Sequence, residues 1–100
     1  LEGTLITWYQ NGQKETESHY KSGTLEGFWT SWDENGQKTL EGYFKNGIPD
    51  GLWTWWYKNG QKMSEGHFKN RMADGLWTFW YKNGQKLLYK NDEFGKTDEM

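Results

Sequence analysis

The sequence predicts an all-β protein in which tandem 24-residue β-hairpins stack side by side into one elongated, twisted, antiparallel single-layer sheet. Three observations carry that expectation. Asn-Gly-Gln-Lys occurs four times, at 11–14, 35–38, 59–62 and 83–86, always 24 residues apart. A fixed period of this size marks a repeat architecture in which one small unit is stacked. The runs between the tetrapeptides are rich in Trp, Tyr, Phe and Thr, which strands favour. The apolar supply is also unusual: hydrophobic residues make up only 33% of the chain and Val is absent, yet there are eight Trp. Rings that each cover roughly 150–250 Å² suit a thin sheet with indoles laid across it better than a thick aliphatic core.

Cut at the period, the single repeat domain spanning 1–100 divides into units 3–26, 27–50, 51–74 and 75–98, the last one degenerate. The third unit is the best formed. Its segment 52–58 reads as a strand, Asn59-Gly60 as a type I′ turn, and 61–69 as the returning strand. Asp-Gly at 50–51 and 74–75 is expected to turn the chain between units, giving a meander of about eight strands. A two-residue loop pairs Lys58 with Gln61, Tyr57 with Lys62, Trp55 with Ser64 and Trp53 with Gly66, and it sets Trp29 opposite Gly42. A G1-bulge turn would move these pairs by one residue.

The alternation of side chains then defines two faces. One carries Trp29, Trp53 and Trp77 with Tyr20, Phe44 and Phe68, and the rings are expected to lie over the strand glycines Gly42 and Gly66. This is the expected structural core. The other face carries Thr30, Thr54, Thr78, Glu41, Glu65 and Gln61, and through it runs one Trp per unit: Trp8, Trp32, Trp56 and Trp80. That ladder is either a second packing strip under Lys and Glu stems or a strip that binds a partner, since Trp is enriched at interface hot spots. On the second reading Lys38, Lys62 and His67 join the four Trp as partner-binding residues.

The ends depart from the pattern. After Lys86 the chain loses Glu-Gly-aromatic-Phe-Lys, as terminal repeats often do. Leu1-Glu2-Gly3 matches the junction Leu25-Glu26-Gly27, which is expected either of further units upstream or of added residues that mimic a junction. Open sheet edges invite edge-to-edge self-association.

A formal net charge of −2 with interspersed Lys and Glu argues against nucleic acid as a partner, which needs a basic footprint, and weakens attraction to anionic membranes. No apolar run approaches the roughly 20 residues of a membrane helix. No cofactor or metal is expected. Without Cys there is no thiolate site, and His19 and His67 occupy one column two units apart, too far to share an ion. Glu17, Glu41 and Glu65 form another column, about 10 Å apart from unit to unit, with Lys three residues before each. Lys14, Lys38, Lys62 and Lys86 form a ladder that either meets an acidic partner or guards the edge. Asn-Gly-Gln-Lys is no phosphate loop, lacking the Gly-x-x-x-x-Gly-Lys cradle and its helix.

The units resemble the variant MORN repeat, and in particular its bacterial branch of YwqK-type antitoxins. The matching pattern, Gly-x-Trp-x-x-aromatic, Asn-Gly, Lys, Glu-Gly-x-aromatic and a Gly-centred turn, stands at Gly27…Phe44, Gly51…Phe68 and, in part, Gly3…Tyr20 and Gly75…Lys86. Departures are Leu5 for Trp, Ser18 for Gly, Arg71 for the turn Gly, and everything after Lys86. The resemblance implies stacked hairpins without enzymatic activity: a protein-binding scaffold, in bacteria an antitoxin or immunity protein that neutralises a secreted or contact-delivered toxin. The compartment is left open, with the bacterial cytoplasm favoured. The alternatives are a structural or membrane-associated scaffold and, behind it, a carbohydrate-binding module.

Overall fold

The computed structural model of the protein describes residues 1–91 and 97–99, with side chains through residue 87. The strands are β1 (Gly3–Trp8), β2 (Lys14–Lys21), β3 (Thr24–Leu25), β4 (Gly27–Trp32), β5 (Lys38–Lys45), β6 (Ile48–Pro49), β7 (Gly51–Trp56), β8 (Lys62–Lys69), β9 (Met72–Trp80), β10 (Lys86–Asn91) and β11 (Thr97–Glu99). All belong to one antiparallel sheet in the order β1-β2-β4-β5-β7-β8-β9-β10-β11, with β3 beside β2 and β6 beside β5. The Cα atoms span 40 × 33 × 12 Å, a twisted slab one sheet thick. The expected all-β hairpin array is therefore the observed one. β3 and β6 are short lead-ins that the eight-strand reading did not separate, and at the last junction lead-in and strand merge into the nine-residue β9. The end of the fourth unit, beyond Asn91, falls partly outside the described residues.

The turns correct two expectations. At Asn-Gly-Gln-Lys, Gly60 N–H donates to Tyr57 O at 3.0 Å and Tyr57 N–H to Gln61 O at 2.8 Å. Gly60 has φ +88°, whereas Asn59 is absent from the positive-φ residues. This is a three-residue loop, a type I turn closed by a G1 bulge, rather than type I′. The expected pairs Trp53–Gly66 and Trp55–Ser64 hold, but past a bulge Trp56, not Tyr57, faces Lys62. Consecutive positive φ values, the mark of type I′, occur instead at Ser22-Gly23, Asn46-Gly47 and Asn70-Arg71. These pairs, and not Asp-Gly, reverse the chain between units.

Asp-Gly has another task. Between β5 and the next unit, Phe44 pairs with Pro49 and Asp50 N–H reaches Tyr43 O, after which Glu41 pairs with Thr54. Gly51, Leu52 and Trp53 therefore pass a single residue, Gly42. Gly51 takes φ +74° at the start of this excursion, a conformation glycine adopts without a Cβ clash. The surplus length arches the following Trp across the neighbouring strand. Gly75-Leu76-Trp77 does the same opposite Gly66, where the register breaks between Glu65 and His67.

The core follows from that arch. Trp29 is the Cα partner of Gly42, as expected, but the ring lying on Gly42 is that of Trp53, from the next unit. Trp77 likewise covers Gly66. A methyl group built on either glycine would overlap the indole. Each ring is also tethered: Trp53 Nε1–H donates to Tyr43 O at 3.2 Å and Trp77 Nε1–H to His67 O at 3.1 Å. Phe44 and Phe68 each stand perpendicular to the Trp53 ring, at 5.1 and 6.0 Å, an arrangement aromatic quadrupoles favour. Trp55 bridges Trp53 and Trp77 at 6.1 and 5.8 Å. Trp53 is thereby only 6% exposed although no second layer covers it.

Candidate interaction surface

The opposite face is built by the tetrapeptide, whose Gln and Lys, and in the first and third units Asn, reach the following unit. Asn59 Oδ1 accepts Gln61 N–H, rigidifying its own turn, while Nδ2 donates to Lys82 O in the next turn at 2.9 Å. Asn11 repeats both contacts, with Gln13 N–H and Glu34 O. The glycine turns the chain, and its bare surface receives the previous unit's Gln: Gln13 lies against Gly36, Gln37 against Gly60 and Gln61 against Gly84. Finally the Lys ammonium sits over the next Trp of the ladder. Lys14 lies 5.6 Å from the Trp32 ring centroid, Lys38 6.0 Å from Trp56 and Lys62 5.7 Å from Trp80, all within cation–π range. The tyrosine before the turn adds a bond, Tyr9 Oη–H to Trp32 O and Tyr57 Oη–H to Trp80 O.

The same lysines pair with the glutamate three residues on: Lys14 with Glu17, Lys38 with Glu41 and Lys62 with Glu65, at 2.9–3.0 Å. Thr30 and Thr54 hydroxyls donate to Glu41 and Glu65. The hydrogen bond from Lys14 holds the Glu17 carboxyl below the usual carboxylate range, against a smaller opposing desolvation, with the charges of Lys14 and His19 assisting. The Tyr9 phenol is pushed up by desolvation and by the charges of Glu15, Glu34 and Asp33. Lysine and glutamate thus neutralise one another along the ladder, so the face presents rings between paired charges.

Trp32, Trp56 and Trp80 are half-buried, each beneath the preceding unit's lysine. Trp8 is 56% exposed. Trp8, Trp32, Trp56, Trp80, Lys38 and Lys62 therefore share one face. His67 joins them, exposed and facing Leu52 across the strands. His19 binds locally, its Nδ1 3.0 Å from Thr4 Oγ1. Sequence reasoning missed a further row on this face: Phe28, Leu52 and Leu76, 60%, 47% and 49% exposed. A large apolar residue recurring at the 24-residue period beside the arch glycine was the available signal. Phe28 stands edge-on to Tyr43 at 5.1 Å. The surface grooves are shallow ones between turns, as at Trp8, Gly12, Gln13, Lys14, Trp32 and Gly36 (about 310 Å³). Among the described residues no three His, Cys, Asp or Glu side chains are grouped to hold a metal, and no helix is long and apolar enough to cross a membrane.

A one-layer array in which the same Gln and Lys latch successive units together defines a repeat scaffold, of an architecture typical of non-catalytic proteins. Four successive segments, 1–22, 25–46, 49–70 and 73–91, match the MORN repeat variant, and the chain belongs to that family. The matched segments are phased on the left-handed turns at 22–23, 46–47 and 70–71, two residues ahead of the units cut from the sequence. No curated protein matches the chain significantly.

Proposed function

We propose that the chain is a protein-binding scaffold of the antitoxin or immunity type, engaging a bacterial toxin in the cytoplasm across the face that carries the Trp ladder. The observation that supports this reading is the coincidence on one face of the ladder, His67 and the exposed row Phe28, Leu52 and Leu76. Evenly spaced rings and apolar side chains on a rigid plane offer contact area at low entropic cost, and Trp and Tyr anchors dominate binding energies. Because the lysines are already paired with glutamates, recognition on this face rests on shape and ring contact more than on net charge.

The test is a pull-down from native-host cells under conditions in which the genes neighbouring this one are expressed, with Phe28→Ser and Leu52→Ser as surface variants that leave the Trp–Gly stack untouched. The reading expects the toxin to be retained by the native chain and lost by the double variant, with unchanged far-ultraviolet circular dichroism. Recovery of no protein partner, or equal recovery by the variant, contradicts it.

A further inference from the structure

The sequence holds five Asn-Gly pairs, at 11–12, 35–36, 46–47, 59–60 and 83–84, and the structure treats them unequally. At Asn11, Asn59 and Asn83 the carboxamide oxygen accepts the backbone N–H of the Gln two residues on. At Asn11 and Asn59 the carboxamide nitrogen is also bonded to the next turn. The second unit differs because Asp33 stands where Tyr9, Tyr57 and Tyr81 stand in the others. Its Oδ1 takes both Asn35 N–H and Gln37 N–H, at 2.9 and 3.1 Å. The Gln N–H that would hold the Asn35 carboxamide is thus already occupied, and that side chain has no hydrogen-bond partner among the described residues. Gly36 N–H is bonded only within its own turn, to Asp33 O at 3.0 Å. Asn46 also has no carboxamide partner among the described residues, but Gly47 N–H is bonded across units to Leu25 O at 2.8 Å and Asn46 N–H to Glu26 Oε1 at 2.9 Å.

We propose that Asn35 is a spontaneous modification site, the first of the five to deamidate, because Asp33 frees its carboxamide from the turn. The Gly36 nitrogen attacks Cγ of Asn35. The N–Cγ bond forms, the Cγ–Nδ2 bond breaks, and the displaced nitrogen leaves as ammonia with the proton that Gly36 gives up. Water then opens the succinimide ring at one carbonyl or the other, leaving aspartate or isoaspartate. Elsewhere the reaction must first break the bond that fixes the carboxamide, or at Asn46 a bond between units. At Asn35 only one local turn bond yields. The product adds a negative charge beside Asp33 and Glu34. The isoaspartate form also lengthens the backbone of a turn that keeps the Gln37 and Lys38 contacts to its successor but lacks the Tyr and Asn bonds of the first and third units.

The experiment is timed peptide mapping by mass spectrometry of the whole folded chain held at mildly alkaline pH, scoring amide-to-acid conversion at each Asn-Gly. Conversion at Asn35 is expected to run several-fold ahead of Asn11 and Asn59, and the five rates to converge in denaturant. Asp33→Tyr, which restores the turn of the other units, is expected to slow Asn35 to the rate of Asn59. Equal rates at Asn35 and Asn59 in the folded chain overturn the proposal whether or not the variant folds. So does a folded Asp33→Tyr chain with Asn35 as fast as before.

Discussion

At the scale of single residues, the two Trp columns differ in what they lose on truncation. Trp53 lies flat on Gly42, is tethered through its indole N–H and is ringed by Phe44, Phe68 and Trp55. Trp53→Ala should cost about 3–5 kcal/mol, as for buried aromatic truncations. Trp56 is half-buried under one lysine, so Trp56→Ala should cost distinctly less. Urea titrations of the two variants make the comparison, and equal losses would show that both columns are packing positions. Glu17 supplies an acid-side signature. Its folded-state pKa is lowered, so between the folded and unfolded values the unfolded chain binds more protons and stability rises with pH. The contribution is complete above the unfolded value and disappears as pH falls through the lowered folded one. As a surface pair it is worth about 0.2–1 kcal/mol and should shrink in added salt. Glu17→Gln should remove that part of the acid slope in unfolding curves measured at successive pH values.

At the scale of elements, the strands were legible in the sequence and the turns only partly. Alternating aromatic runs of six to eight residues admit little but strands, and the pair Trp53–Gly66 followed from counting across the loop. Asn-Gly, however, serves both two-residue type I′ loops and three-residue loops with a G1 bulge. What separates them here is the Asn59 carboxamide, which caps Gln61 N–H and reaches Lys82 O, and that second contact lies in another unit. Asp-Gly misled for a related reason: its positive-φ glycine begins an arch whose purpose, carrying Trp53 onto Gly42, appears only when neighbouring hairpins are placed side by side. The turns also supply a test of inter-unit coupling. Tyr57→Phe removes only the hydroxyl bond to Trp80 O, so a loss of about 0.5–1.5 kcal/mol is expected. Hydrogen exchange should report it at the fourth unit's turn first. A loss confined to Tyr57's own hairpin would contradict the latch.

At the scale of the molecule, the 24-residue period made the array visible before any residue was placed, because each unit must bury its rings on a neighbour. The candidate surface was half legible. The Trp ladder announced itself by recurrence, yet its covering lysines come from the preceding unit, and the row Phe28, Leu52 and Leu76 went unread because the position is not held by one residue type: Thr4 fills it in the first unit, Phe in the second and Leu in the last two. Stability in such an array is close to a sum of unit and nearest-neighbour terms, so the account rests on what joins successive hairpins. The most direct measurement is a proton NMR spectrum with assigned Gly42 and Gly66 Hα resonances. Both should be shifted strongly upfield by an overlying indole, with Overhauser contacts from Gly42 to Trp53 and from Gly66 to Trp77, each in the following unit. Unshifted glycine protons, or contacts from Gly42 to Trp29 within its own hairpin, would contradict it.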